Sequence, residues 1–260
     1  MRIAFLTNKT ARVNMPVYES LIRGGDVVLT HTFFYDTVSA GRGSPLTIIA
    51  QFGLGRVAAK ACQAVASGLR RQLGKRLGAK WIRAKSPYEL AVIQDLPHST
   101  ISDMNQPQTI NFLQSLNVDV LLVCVCKNIL RRKLLSTPNK RFVNIHPSLL
   151  PRYRGPTPTF WMLYHGESKT GVTFHLMTPK IDNGKILAQL SLPLDRGKTE
   201  FQIEYEVFQL AGTIVNEVLQ NLESSQIQAV SQIEDQEASY YTFPTQTQRR
   251  ELKRKLARMR

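Results

Sequence analysis

The chain has 260 residues, 43% hydrophobic and 20% charged, which is ordinary for a globular protein with one well-buried core. No run of about 18 or more apolar residues occurs, which excludes a membrane-spanning helix of the usual kind. The net charge of +15 is concentrated: ten Lys or Arg and no acid lie between Thr37 and Tyr88, and Arg249 to Arg260 holds seven basic residues and one acidic. The body is near neutral, so the two patches point to an anionic partner: phosphate, nucleic acid or an acidic membrane surface. A solvated charged face is the alternative for the tail.

In chain order, Met1 to Leu6 reads as a first strand rather than a signal peptide, with one positive charge and too short an apolar stretch. Pro16 to Arg23 is a predicted helix and Asp26 to Thr32 a second strand, a spacing that suggests a right-handed crossover unit. Residues 41–85 interrupt the pattern. Phe52, Val57, Ala61, Val65, Leu69, Leu73 and Leu77 recur every four or five positions among Arg and Lys, broken by several glycines. We expect a broken, basic, amphipathic helical insertion there.

Asn105 is placed to cap a helix with Pro107 in its first turn and Ile110, Leu113 and Leu116 on its apolar face. Val118 to Cys126 is an apolar run broken only by Asp119, as in a parallel strand covered on both faces. Cys124 and Cys126 would share one face of it, and with Cys62 they are expected to be reduced thiols of a cytoplasmic protein, not metal ligands. Phe142 to Ile145 is the next strand, followed by a Pro-rich stretch from Pro147 to Pro158. Gly171 to Met177 and Lys185 to Leu190 are two further strands. A helix is expected from Glu200 to Leu222, with Thr199 and Gln202 at capping-box spacing. Beyond it, Tyr240-Tyr241-Thr242-Phe243-Pro244 is either a hook packed on the domain or an aromatic wall for an acceptor.

The chemistry concentrates in Asn144-Ile145-His146-Pro147-Ser148-Leu149-Leu150-Pro151-Arg152-Tyr153-Arg154-Gly155. Asn144 and His146, two apart at a strand end, project from one face, where open α/β sheets bind ligands. An amide donor beside an imidazole can stabilise an oxyanion and move a proton. Ser148 has no evident base, which argues against a serine nucleophile.

This stretch, followed by Thr170-Gly171-Val172-Thr173 and Ile181-Asp182-Asn183-Gly184-Lys185-Ile186-Leu187, resembles the formyltransferase family. That family includes the methionyl-tRNA, glycinamide ribonucleotide and sugar-nucleotide formyltransferases. The resemblance is strong over about residues 105–190 and weaker over 1–36. It implies a Rossmann-like, doubly wound, mostly parallel sheet with a helical C-terminal extension. The catalytic domain would span residues 1–190, with the insertion at 41–85, and the extension with its basic tail 191–260. It further implies a catalytic trio of Asn144, His146 and Asp182, with 10-formyltetrahydrofolate as co-substrate and no metal. Cys126, Lys127, Asn128, Ile129, Leu149, Leu150, Thr178 and Ile181 would line the folate pocket.

Several acceptors stay open. The leading expectation is an amine on a small phosphate-bearing molecule, such as an amino sugar linked to a nucleotide. Asn8-Lys9-Thr10-Ala11-Arg12 stands where the glycinamide ribonucleotide enzymes have a Gly-rich loop. The second expectation is methionyl-tRNA, with the basic patches as its contacts; Ala40-Gly41-Arg42-Gly43 resembles the basic tRNA loop of those enzymes. About 40 residues follow Leu222, fewer than their C-terminal barrel needs. A formyltetrahydrofolate hydrolase and a non-catalytic basic binding module on the same scaffold complete the alternatives. Localisation is expected to be cytoplasmic, or peripheral at an anionic membrane surface.

Overall fold

The computed structural model describes residues 1–36, 84–232 and 238–257. The expected helical insertion, Cys62 and the Ala40 to Gly43 loop lie almost wholly outside the described residues.

The elements are β1 (Arg2–Asn8), α1 (Met15–Arg23), β2 (Val28–Tyr35), α2 (Pro87–Ile93), β3 (His98–Ile101), α3 (Pro107–Ser115) and β4 (Val120–Cys124). They continue with α4 (Arg132–Leu135), β5 (Arg141–His146), α5 (Pro158–His165), β6 (Lys169–Leu176), β7 (Ile186–Pro193), α6 (Glu200–Glu223) and α7 (Gln246–Ala257). The strands form one seven-stranded sheet in the order β3-β2-β1-β4-β5-β6-β7. β3 through β5 in that order pair in parallel, whereas β6 and β7 are antiparallel. The sheet is thus doubly wound and mostly parallel, as expected, with helices on both faces.

Apolar runs explain the centre. All five residues of β4 are buried, and Ile3 to Leu6 of β1 are fully enclosed, because helices cover both faces. On one face Val17, Tyr18 and Leu21 of α1 meet Val207, Phe208, Ala211 and Val215 of α6 over Phe5 and Leu122. On the other, Leu6, Leu113, Leu121, Val123 and Leu134 form a second core. Each such side chain contributes roughly 1.5–3 kcal/mol on full burial. The capping box of α6 forms as its sequence directs, Thr199 Oγ1 accepting from the Gln202 N–H and Gln202 Oε1 from the Thr199 N–H.

Some boundaries differ for identifiable reasons. β2 starts at Val28 and runs to Tyr35, because its register is set by β1, Arg2 facing Val28 and Asn8 facing Tyr35. Gln106, not Asn105, holds the N-cap position of α3. The Asn105 side chain ties two loops together instead, donating to Asp103 Oδ1 and Ile129 O and accepting from the Arg131 N–H. β4 stops at Cys124 because Val125 turns into the left-handed region at φ 53°. Cys126 therefore leaves the strand and does not share a face with Cys124. β7 reaches Pro193, and α6 packs into the same core as α1. Among the described residues, no helix is long and apolar enough to cross a membrane.

Candidate active site

Alternation along β5 sends Val143 and Ile145 into the core beneath α1 and α6, and turns Asn144 and His146 to the opposite face. β6 lies antiparallel beside it, with Asn144 opposite His175 and His146 opposite Thr173. The β6–β7 connection then returns to the same place. Asp182 sits in that turn at φ 49°, a left-handed conformation that Asp tolerates better than most residues. Gly184 allows the turn, since a Cβ there would stand 1.6 Å from the Leu176 carbonyl oxygen.

Four groups converge on the Asp182 carboxylate. The Gly155 N–H donates to Oδ2 at 2.8 Å, and His146 Nδ1 lies 3.6 Å from the same oxygen. The Asn144 amide donates to Oδ1 at 3.3 Å, and His175 Nε2 lies 3.5 Å from it. Burial works to raise the Asp182 pKa, but His146, His175 and the Gly155 N–H outweigh it and hold the carboxyl well below the ordinary range. The Asp182 side chain is only 12% exposed and those of His146 and His175 are 6% and 2% exposed, so bulk water screens these contacts poorly.

Hydrogen bonds also orient both imidazoles. His146 Nε2 lies 2.8 Å from the Tyr153 carbonyl, an acceptor only, so Nε2 carries a proton and Nδ1 is turned toward Asp182. His175 Nδ1 donates to the Leu176 carbonyl at 2.9 Å, and its Nε2 faces the Asn144 amide at 3.1 Å. The three residues expected to act together are thus assembled.

His175 was not anticipated. Within Gly171 to Met177 it reads as one polar residue of a buried strand, and only its register opposite Asn144 reveals where it points.

The residues expected to line a folate pocket fall on three loops beside this cluster. Cys126, Lys127, Asn128 and Ile129 follow β4, the parallel neighbour of β5. Ile129 is 62% exposed, but the Asn128 side chain is committed within the protein, accepting from the Met104 N–H and donating to Asp103. Burial pushes the Cys126 thiol up to about 12, so it is not poised for covalent chemistry. Leu149 packs on Gly171 and Leu150 is buried, its N–H donating to Thr173 Oγ1. Thr178 and Ile181 are exposed on the β6–β7 turn. A separate cleft of about 260 Å³, lined by Leu21, Val27, Leu29, Leu96 and Pro97 among others, includes none of these residues. It lies at the amino ends of β2 and β3.

A family model described as "Formyl transferase" matches residues 63–219. The chain belongs to this family. The match contains Asn144, His146, His175 and Asp182 and stops short of the C-terminal segment of this formyl transferase family member. The methionyl-tRNA formyltransferase of Thermotoga neapolitana is 40% identical over 132 residues, 51% of this chain and 42% of that protein. The chain therefore aligns with less than half the length of that curated relative. Among solved structures, a sugar N-formyltransferase from a Shewanella species shares the fold at a TM-score of 0.60 and 16% identity, over 97% of this chain and 86% of that one. Phosphoribosylglycinamide formyltransferase from Anaplasma phagocytophilum does so at 0.60 and 14% identity, over 94% and 99%.

Of the aromatic run near the C-terminus, Tyr241 is the ring that hooks onto the domain, and the Thr242 carbonyl beside it accepts from Trp161 Nε1. The Tyr241 ring stacks on Trp161 and Tyr153 at centroid distances of 4.8 and 5.4 Å. Tyr240 and Phe243 stay exposed, at 53% and 59%.

Proposed function

We propose that this chain transfers the formyl group of 10-formyltetrahydrofolate to an amine, with Asn144, His146 and Asp182 as its catalytic residues. The observation that carries this reading is the convergence of Asn144, His146 and His175 on the Asp182 carboxylate.

The amine nitrogen attacks the formyl carbon, a C–N bond forms, and the carbonyl electrons move onto oxygen. Asn144 Nδ2 would exchange its His175 partner, and His146 Nε2 its Tyr153 partner, for that oxyanion. Asp182 keeps His146 aligned and takes the proton lost by the attacking nitrogen, directly or through water. The bond to N10 of the folate then breaks, N10 gains a proton, and the products are the formylated amine and tetrahydrofolate. The loops carrying Cys126 to Ile129, Leu149 and Leu150, and Thr178 to Ile181 would hold the pterin.

For the acceptor, the concentrated positive charge favours an anionic molecule, and a small phosphate-bearing amine is the first reading. Methionyl-tRNA is the second, favoured by the 40% identity to an enzyme of that name. Turnover of 10-formyltetrahydrofolate with amino sugars, nucleotide-linked amino sugars and aminoacyl-tRNAs tests both. Tetrahydrofolate release that requires an amine supports transfer, release without one indicates hydrolysis, and no release with any acceptor refutes the enzymatic reading. Salt separates the acceptors. Affinity for tRNA should fall with a log–log slope of roughly −0.7 to −0.9 per phosphate neutralised, and affinity for a nucleotide-sugar only shallowly.

A further inference from the structure

The two backbone segments that hold Asp182 are not joined to each other by the sheet. Asp182 lies in the β6–β7 turn, whereas Gly155 N–H and the Tyr153 carbonyl, which fix its carboxylate and the His146 ring, belong to the loop after β5. That loop is strained: Tyr153 and Thr157 adopt positive φ of 60° and 55°, and Gly155 of 92°. Something must hold it against the turn.

The segment beyond α6 does so. The Gln232 amide donates to the Asp182 and Gly184 carbonyls at 2.9 and 2.8 Å. Its oxygen accepts from Arg154 Nε and Nη2 at 3.1 and 2.8 Å. One side chain thus uses both ends, one on the Asp182 turn and the other on the Gly155 loop. Farther on, Ser239 and Tyr241 lie along the same loop. Tyr153 N–H donates to Ser239 Oγ at 2.9 Å, Arg154 N–H to the Ser239 carbonyl at 2.9 Å, and Tyr241 N–H to the Arg154 carbonyl at 3.0 Å. A Cβ on Gly155 would stand 2.2 Å from the Tyr241 carbonyl oxygen, so the strap and the loop are in direct contact.

We infer that Gln232 is a positioning residue, a clamp by which the C-terminal strap fixes Asp182 against Gly155 N–H and His146. This inference rests on the proposed formyl transfer. Among the described residues, the titratable groups facing the Asp182 carboxylate are His146 from β5 and His175 from β6, with the Arg154 guanidinium beyond Gln232. Releasing the clamp lets Gly155 N–H and His146 draw away, so the carboxylate becomes easier to protonate. Gln232→Ala removes both ends of the clamp. Gln232→Glu retains the Arg154 contact but sets a carboxylate oxygen, with an added negative charge, against the Asp182 and Gly184 carbonyls.

The test compares full-length wild type, Gln232→Ala and Gln232→Glu by pH-dependent formyl-transfer kinetics, thermal unfolding and ring titration of ¹⁵N-labelled histidines. Both variants should keep KM for 10-formyltetrahydrofolate within about twofold and lose kcat by roughly 10–10²-fold, the scale of a small misplacement of catalytic groups. The acid limb of kcat should move to higher pH, and the His146 and His175 ring titrations should change. Unchanged kcat overturns the inference. So does a loss of kcat with an unmoved acid limb and unmoved ring titration, since general weakening of the fold gives that result. If wild type transfers no formyl group, the functional reading fails instead, and the ring titration alone decides whether Gln232 positions Asp182.

Discussion

The two ends of the sheet are built on opposite terms. Where the carboxyl end of β5 runs beside β6, a buried carboxylate gathers two imidazoles, an amide and a backbone N–H. At the amino ends of β2 and β3 lies an apolar cleft of about 260 Å³ with no titratable side chain in its lining. The cleft offers open space, but the desolvated and paired polar groups are at the other end, and the proposed chemistry rests on them. Burial of a charge in such company is costly to maintain, and it persists where the charge has a use.

The largest effect expected on that contrast is at the charged end. Asp182→Ala and His146→Ala should each abolish measurable formyl transfer while circular dichroism stays native. Asn144→Ala should follow with a loss of roughly 10²–10³-fold, the usual cost of one oxyanion donor. By contrast Val28→Gln, at the rim of the cleft, should leave turnover within about twofold; a larger loss would show that the cleft takes part in catalysis.

A second comparison sharpens the first. Asp182 is buried among histidines and its pKa is lowered, whereas Glu204 on α6 is pushed up to about 7 by burial, with Glu200 adding to the rise. The two therefore act on stability in opposite senses. Asp182 stabilises the fold above the ordinary carboxylate range, and that contribution is lost as pH falls below it. Glu204 favours the fold when protonated, and that advantage is lost as pH rises from about 4.5 through 7. Glu204→Gln should accordingly raise Tm modestly at pH 8 and leave it unchanged near pH 4. The same shift at both pH values would contradict a Glu204 carboxyl raised by burial.

Asn144, His146 and Asp182 were singled out through the resemblance to the formyltransferase family, since an Asn-x-His pair at a strand end is by itself more often structural, and the fold brings the three side chains together. The apolar runs of β1 and β4 and the capping box of α6 were plain, since local pattern and tertiary burial agree there. His175 was hidden because its role depends on antiparallel register with β5, which nothing local to Gly171–Met177 encodes. Gln232 was hidden for a similar reason, because it acts across about 50 and 78 residues, on Asp182 and Arg154. Asn105 and Cys126 went astray at chain reversals. One prefers binding two loops to capping a helix, and the other follows a left-handed Val125 that no propensity predicts.

The most direct test of the central claim is formyl transfer from 10-formyltetrahydrofolate to the best amine acceptor, compared between wild type and Asp182→Asn at equal folded concentration. Asn at 182 keeps the shape of the side chain but removes the charge on which His146 and His175 converge. The account predicts that tetrahydrofolate release and amine formylation fall together by at least about 10²-fold, the scale of losing preorganised electrostatic stabilisation. Near-wild-type transfer by the Asn variant would contradict it.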